Sequence, residues 1–168
     1  MRLWLLRHAK SSWENTGLPD EERPLASRGQ GAADRMRDYL AAESIEPELV
    51  LCSSATRARE TLARVLPGLG SELQVLIEPE LYTFDADVLL HRLFRVPGEI
   101  GSVMLVGHNP AIEELAVRIA DRGDRLRDLS KKYPTAALAE ITFPAKTWTS
   151  IEERPGALTR FVVPKDLT

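Results

Sequence analysis

The chain has 168 residues, of which 43% are hydrophobic, and this length and composition predict one globular domain over residues 1–168 and exclude a disordered protein. Its 22 lysines and arginines against 25 aspartates and glutamates give a net charge of −3, so overall charge does not favour binding to nucleic acid or to an anionic membrane. No apolar run approaches the roughly 20 residues that span a bilayer, and the single cysteine, Cys52, excludes an internal disulfide. We therefore expect a cytoplasmic protein without a signal peptide and, in the absence of a heptad pattern, a monomer.

Short apolar runs mark the predicted strands. Three of them are hydrophobic at nearly every position, which is typical of parallel strands buried on both faces, and a fourth is weaker. These runs lie at residues 3–6, 49–52 and 103–106 and, for the weaker one, 74–77. Two further strands are predicted later in the chain, at residues 136–143 and 158–163.

Helices are predicted between these strands. Ser27, with Gln30 three residues later, is typical of a capping box, and apolar residues then recur at helical spacing. Residues 55–66 and 88–94 form two further helical stretches, and Asn109-Pro110 predicts a capped helix start. The alternation of strands and helices indicates an α/β fold whose mostly parallel central sheet is flanked by helices.

The connection between residues 8 and 24 is longer than an ordinary loop between a strand and a helix. It contains Trp13 and an acidic cluster formed by Asp20, Glu21 and Glu22. Loops of this length in compact domains are usually functional or disordered, and the sequence leaves the role of this one open.

The predicted strand ends bring chemically useful side chains to one edge of the sheet. The first strand ends in Arg7 and His8, the second is followed by Arg57 in the first turn of its helix, and the last core strand ends before His108. Ligands bind outside the carboxyl ends of the strands in open α/β sheets, so two arginines and two histidines converge there. The weaker strand ends in Glu78-Pro79-Glu80 and adds carboxylates there.

This set of side chains favours a phosphoryl ligand. The planar guanidinium of arginine matches the oxygens of a phosphate, and the helix amino termini near Ser54 and Asn109 add backbone N–H groups. The same cations disfavour protonation of a nearby imidazole, which keeps a histidine neutral near pH 7. A neutral histidine aligned on phosphorus is a candidate covalent nucleophile.

Each of these arginines and histidines also has an ordinary structural explanation. It could end a buried strand, cap a turn or lie on a solvated helix face. The agreement of three separate strand ends outweighs these explanations. Arg59, His91 and Cys52 lack such agreement, and we interpret them as a solvated arginine, a structural histidine and an inert core thiol.

Three segments together resemble one known family. They are residues 7–13 (RHAKSSW), 53–61 (SSATRARET) and 106–110 (VGHNP). In this order they resemble the motifs of the histidine phosphatase superfamily, and the opening motif and short length resemble its bacterial SixA-type phosphohistidine phosphatase branch. The resemblance runs from Met1 to about residue 163. It implies the phosphoglycerate mutase-like fold, a three-layer α/β sandwich.

The resemblance also implies catalytic roles. His8 would be the nucleophile, phosphorylated on one ring nitrogen while a backbone carbonyl holds the other. Arg7, Arg57 and His108 would complete the phosphate pocket and donate to the oxygens where charge concentrates. The family motif matches Arg57 and not Arg59.

Ser11 and Asn109 would add donors that bind the substrate, and the resemblance implies neither a metal nor another cofactor.

The sequence departs from the family in one place. Members that cleave phosphate esters carry a glutamate that protonates the leaving alkoxide, and Glu80 is the nearest candidate here. If no carboxyl group reaches the site, phosphoramidates are favoured over esters, because an imidazole leaves more readily than an alkoxide.

The expected activity is hydrolysis through a phosphohistidine intermediate, with a protein that carries phosphohistidine as the substrate. Two alternatives stay open. One is a phosphatase of small phosphorylated metabolites, which differs in its leaving group, and the other is a non-catalytic module that binds phosphate or a phosphopeptide. No nucleic-acid or membrane partner is expected.

Overall fold

The computed structural model describes residues 1–168 and contains one seven-stranded sheet and five α-helices. The strands are β1 (Arg2–Arg7), β2 (Leu49–Ser53), β3 (Gln74–Glu78), β4 (Ser102–Gly107), β5 (Ala120–Arg122), β6 (Leu138–Thr142) and β7 (Gly156–Val162). The helices are α1 (Ser27–Ala42), α2 (Thr56–Val65), α3 (Ala86–Phe94), α4 (Ala111–Ile119) and α5 (Leu126–Lys131). None of these helices has the length and apolar character needed to cross a membrane.

The order of strands across the sheet is β3-β2-β4-β1-β6-β7-β5. The first four strands in this order run parallel to one another, β6 is antiparallel to both β1 and β7, and β5 is parallel to β7. The carboxyl ends of β1, β2 and β4 therefore lie side by side at one edge of the sheet. Ligand sites of open α/β sheets form at such an edge.

The central strands are buried on both faces, as their continuous hydrophobicity predicts. In β1, Leu3 and Leu5 belong to the core formed with α3, α4 and α5. Trp4 and Leu6 point to the opposite face and pack with α1 and α2. This alternation along a strand produces two hydrophobic layers on the two sides of the sheet. The predicted three-layer α/β sandwich with a mostly parallel sheet is confirmed.

Two predicted helix starts are wrong in detail. Ser27 is the first residue of α1 and not its cap, and the preceding Ala26 makes no side-chain capping bond. A tertiary contact fixes this start, because the Ala26 N–H donates to the carbonyl oxygen of Lys10 at 2.9 Å. Pro110, and not Asn109, precedes the first residue of α4.

Strand β3 is present where predicted, but it is not buried. Val75, Leu76 and Ile77 are all exposed, and Ile77 keeps 50% of its surface accessible. The reason is its place in the sheet, since β3 is an edge strand that pairs with β2 alone. A run of apolar residues thus identified a strand correctly but not its position in the sheet.

The last part of the chain completes the sheet beyond β1. The two strands predicted there correspond to β6 and β7, which pair in antiparallel register. Strand β5 and helix α5 were not predicted. They contain three and six residues, which is too short for hydrophobic periodicity to be recognised.

Gly29 lies where α1 packs directly on the backbone that follows His8. A β-carbon at this position would lie 2.1 Å from the carbonyl oxygen of Lys10. Gly29→Ala should therefore lower the free energy of unfolding by about 1–3 kcal/mol, the usual cost of overpacking. Gly31→Ala is the matched control on the same helix, because the nearest atom to its new β-carbon is a guanidinium nitrogen of Arg35 at 3.8 Å.

The higher helix propensity of alanine should leave the Gly31→Ala protein as stable as the wild type, or more stable by up to about 1 kcal/mol. Urea unfolding of the two variants measures the difference. Equal changes in the free energy of unfolding for the two substitutions would show that a β-carbon at position 29 does not clash with the Lys10 backbone.

Candidate active site

The ends of β1, β2 and β4 bring four predicted side chains together. The ring centres of His8 and His108 are 5.0 Å apart. Arg57 Nε lies 3.4 Å from His8 Nε2, and His108 Nε2 lies 2.7 Å from the hydroxyl oxygen of Ser53. Both histidines and Arg57 are buried. Arg7, the last residue of β1, precedes His8, so the convergence expected from the strand ends is present in the structure.

His8 presents one defined nitrogen to the cluster. Its Nδ1 lies 2.7 Å from the carbonyl oxygen of Ala9, and because a carbonyl can only accept, Nδ1 carries the proton and Nε2 the lone pair. The Ala9 N–H donates to the hydroxyl of Thr61 at 2.9 Å, and that hydroxyl donates to the carbonyl oxygen of Arg57 at 2.7 Å. Thr61 therefore ties the backbone beside His8 to α2. This positioning residue lies within the second motif but is not evident from the sequence.

Both imidazoles are neutral near pH 7. Burial is the largest cause of the low pKa of His8, about 4, and it outweighs the hydrogen bond to Ala9, which favours the charged form. The charges of Arg57 and Arg7 lower the pKa of His8 further. Burial and then the neighbouring His8 lower the pKa of His108 to about 3. The pKa of His8 is lowered, as expected, but the main cause is burial and not the flanking cations.

An NMR titration of the free protein checks these protonation states. The ring-proton shifts of His8 and His108 should stay constant from about pH 8 to about pH 5, because groups with pKa values of about 4 and about 3 gain their protons mainly below that range. Spectra of single-histidine variants assign the signals. A protonation step near the ordinary histidine pKa of about 6.5 in either ring would contradict the neutral pair.

Asp20, in the long loop between β1 and α1, binds the guanidinium of Arg57. The two terminal nitrogens of Arg57 donate to the carbonyl oxygen and to Oδ2 of Asp20, at 2.6 and 2.9 Å. The same carboxylate accepts from the Tyr82 hydroxyl at 2.6 Å and from Arg23 Nη1 at 2.8 Å. The bond from Tyr82, followed by those from the arginines, lowers the pKa of Asp20 to about 2, so this carboxylate is ionised. Neither Tyr82 nor Arg23 was expected at the site.

Ser11 lies in the wall that the long loop forms. Its hydroxyl accepts a hydrogen bond from Arg23 Nη2 at 2.5 Å, and its backbone pairs with that of Leu25. The guanidinium of Arg23 also lies over the ring of Trp13, 3.3 Å from the ring centre. The structure therefore bonds Ser11 to a buried cation at the edge of the site, and not to His8.

Three buried side-chain atoms lack a hydrogen-bond partner, and all belong to predicted site residues. They are Arg7 Nε, His108 Nδ1 and Asn109 Oδ1. Buried polar atoms are nearly always bonded, so their concentration here is typical of a ligand site. The remaining contacts hold Arg7 and Asn109 in place, since Arg7 Nη1 donates to the Tyr133 carbonyl at 2.7 Å and Asn109 Nδ2 donates to Glu113 at 2.8 Å. Arg7 Nε is thus a free donor for an anion.

Glu80, the expected proton donor, does not join this cluster. It lies in the 3₁₀ helix Pro79–Leu81, where its exposed carboxylate forms ion pairs with Arg95 and, at 3.6 Å, with Arg92. Arg92 also binds the carboxylate of Glu78 through two hydrogen bonds of 2.7 and 2.8 Å. The expectation that β3 adds a carboxylate to the site is therefore wrong, because arginines at the end of α3 hold both glutamates.

Aromatic side chains border His108. The ring centres of Tyr82 and Phe84 lie 5.4 and 6.1 Å from that of His108, and both rings meet it edge to face. Phe84 keeps 53% of its surface exposed. Both residues lie in the connection between β3 and α3, so a rule based on strand ends could not identify them.

The side chains of the residues interpreted as structural form no hydrogen bond or ion pair with His8, Arg57 or His108. Arg59 is exposed and donates to the carbonyl oxygen of Ser54 at 2.9 Å. His91 is exposed on α3, and Cys52 is fully buried in β2, where burial raises its pKa to about 12. No three His, Cys, Asp or Glu side chains lie together as a metal site would require.

Residues 3–92 match the family model of the histidine phosphatase superfamily, branch 1. This stretch is more than half of the chain and includes His8 and Arg57. The chain therefore belongs to the histidine phosphatase superfamily, and it is a phosphatase.

Relatives extend this assignment to the whole chain. An uncharacterised protein of Mycobacterium tuberculosis is 32% identical over 164 residues, which cover 95% of this chain and 100% of that protein. The phosphohistidine phosphatase SixA of Escherichia coli K12 is 25% identical over 144 residues, which cover 84% of this chain and 85% of SixA. A solved structure from Agrobacterium tumefaciens, provisionally named phosphohistidine phosphatase SixA, is 31% identical, with a TM-score of 0.80 and 97% of each chain covered. The resemblance to the SixA-type branch is therefore confirmed.

Proposed function

We propose that this phosphatase hydrolyses phosphohistidine in a phosphorylated protein, through a phosphate carried on His8. The proposal rests on two features of the site taken together. His8 is neutral and oriented by its bond to Ala9, and the carboxylate of Asp20 is bound by arginines and ionised. Such a site holds a nucleophile but no carboxylic acid ready to protonate an alkoxide. The name of the Escherichia coli relative, phosphohistidine phosphatase, supports the same substrate class.

In the first step, Nε2 of His8 attacks phosphorus, and the bond between phosphorus and the imidazole nitrogen of the substrate breaks. The leaving imidazole takes its proton from solvent. In the second step, water attacks the phosphorus of phospho-His8 and the bond between phosphorus and Nε2 breaks. Hydrogen phosphate departs, the other proton of the water goes to solvent, and neutral His8 is restored. The Nδ1 proton of His8 stays bonded to the Ala9 carbonyl throughout, so the same nitrogen reacts in every turnover.

The cations of the pocket stabilise the charge on the phosphoryl oxygens. Arg7 Nε is a free buried donor, whereas both terminal nitrogens of Arg57 are bonded to Asp20. A phosphoryl group competes with the Asp20 carboxylate for Nη2 of Arg57 and with the Asp20 backbone carbonyl for Nη1. His108, with an unbonded Nδ1, and Asn109 complete the set of polar groups around the phosphoryl group.

The absence of an available acid at the site sets the preferred leaving group. Asp20, with a pKa of about 2, is ionised near pH 7, and Glu80 is held by Arg95. Protonation of an alkoxide by a positioned acid contributes about 10²–10⁴-fold to the rate. An imidazole leaves without that help, because its conjugate acid titrates near neutral pH.

The test compares kcat/KM for a phosphohistidine peptide, an aryl phosphate and glycerol phosphate. We expect the first two to be hydrolysed at least about 10²-fold faster than glycerol phosphate. Glu80→Gln should change none of the three by more than about twofold, because its carboxylate is exposed and ion-paired away from His8. If glycerol phosphate is cleaved as fast as phosphohistidine and both rates fall in Glu80→Gln, the protein is a general phosphatase of small molecules with Glu80 as its acid.

A further inference from the structure

A cleft of about 590 Å³ lies beside the catalytic cluster, between the start of α1 and the segments that flank β6 and β7. Eleven residues line it, none of them acidic or aromatic and only two of them hydrophobic. Six of the eleven carry a positive charge, namely Arg7, Lys10, Arg28, Arg35, Lys132 and Lys165. This concentration is unusual for a chain whose net charge is −3.

The cations of this cleft have no anionic partner within the protein. Leaving Arg7 aside, all five are exposed, and none has a carboxylate oxygen within 4 Å or a side-chain hydrogen bond. Most arginines outside the cleft are ion-paired, as Arg64 is with Asp34 and Arg160 with Glu43. Like charges around one concave surface repel each other, so a ligand that carries negative charge stabilises this arrangement.

The composition of the cleft argues for a carboxylate-bearing peptide. Pockets for small molecules are lined mostly by apolar and aromatic groups, and single-stranded nucleic acid needs aromatic surfaces for its bases. This cleft offers neither, whereas long, flexible cations at a surface are suited to the acidic side chains of a protein partner.

The cleft adjoins the nucleophile along the chain. Arg7 precedes His8 and Lys10 follows it by two residues, so the Cα atom of Lys10 lies at most about 7 Å from that of His8. Packing of Gly29 against the Lys10 backbone fixes α1, with Arg28 and Arg35, in this position. A peptide whose phosphohistidine enters the catalytic pocket therefore has its neighbouring residues within reach of the cleft.

We propose that this cationic cleft binds aspartate and glutamate side chains next to the phosphohistidine of the partner protein, and so selects partners with an acidic segment at that position. The proposal rests on the proposed phosphohistidine phosphatase function. It assigns binding and selection of the partner, and not the chemical step, to the residues of the cleft other than Arg7.

The experiment uses two synthetic peptides of equal length with one phosphohistidine, flanked in one by glutamates and in the other by glutamines. At low salt, the wild-type protein should show a higher kcat/KM for the acidic peptide, mainly through KM. The double variant Arg35→Gln with Lys165→Gln should reduce this preference roughly fivefold, because two exposed charge pairs are lost. About 0.5 M salt should reduce it similarly in the wild type.

The control variant, Arg127→Gln with Lys146→Gln, removes the same charge from exposed and unpaired positions outside the cleft. It should keep the preference for the acidic peptide, and neither double variant should change the rate with an aryl phosphate by more than about twofold. Equal hydrolysis of the two peptides by the wild type, or an equal loss of the preference in the two double variants, would overturn the proposed role of the cleft. Either result would leave the proposed phosphatase function standing. If neither peptide is hydrolysed while the aryl phosphate is, the proposed function fails and the cleft proposal fails with it.

Discussion

Replacement of His8 by alanine should lower kcat with the phosphohistidine peptide by at least about 10³-fold, because the variant lacks the group proposed to attack phosphorus. Neither Nε2 of His108 nor the thiol of Cys52 is free to replace it. His108 Nε2 lies 2.7 Å from Ser53 Oγ, and Cys52 is fully buried with a pKa of about 12. Steady-state kinetics of the purified variant measure the loss.

Two controls separate a chemical effect from a structural one. His8→Gln keeps a polar side chain of similar length and should be as inactive as His8→Ala. His91→Ala removes an exposed histidine on α3 and should retain wild-type activity. Urea unfolding should show that all three variants are folded at the assay temperature. A kcat of His8→Ala within about tenfold of the wild type would refute the proposal that His8 is the nucleophile.

Arg57→Ala should cost about 10²–10³-fold in kcat/KM, which is typical of losing one donor to the charge that develops in the transition state. Arg57 is buried, and its Nε lies 3.4 Å from Nε2 of His8, the nitrogen proposed to attack phosphorus. Arg59→Ala, two residues further along α2, removes an exposed guanidinium and should change kcat/KM by less than about twofold. Equal losses in the two variants would mean that Arg57 does not bind the phosphoryl group.

One further variant, compared with Arg57→Ala, tests the role of Asp20. Asp20→Asn leaves Arg57 in place but removes the negative charge that occupies its head group. If Arg57 acts on the phosphoryl group, Asp20→Asn should retain much more activity than Arg57→Ala. Matching losses would instead show that Arg57 acts mainly by holding the loop through Asp20.

The central part of the fold and the core of the site follow from local patterns in the sequence. Runs such as residues 3–6 and 103–106 are apolar at each position because β1 and β4 are covered on both faces. The polar residues directly after these strands, His8 and His108, then meet because the strands are parallel neighbours. In a parallel sheet, the residue that directly follows a strand lies at the carboxyl edge of the sheet. Its place in the sequence therefore predicts its place in the site.

The remaining site residues depend on contacts that no local pattern contains. Tyr82 bonds to Asp20 across 62 positions of the chain, and Arg57 bonds to Asp20 across 37. Whether the long loop folds over the site is decided by these contacts, and its composition alone is equally compatible with a solvated loop. The assignment of Glu80 fails for a related reason. Its place after β3 is correct, but Arg95 on the neighbouring helix end competes for its carboxylate.

The most direct test of phosphate transfer through His8 is to quench the wild-type enzyme in acid-free denaturant during turnover of the labelled phosphohistidine peptide. We expect a phosphate on the protein that is stable in alkali and labile in acid, mapped by mass spectrometry to His8, and absent from His8→Ala. Turnover by the wild type with no phosphate on His8 at any quench time, together with activity retained in His8→Ala, would contradict it.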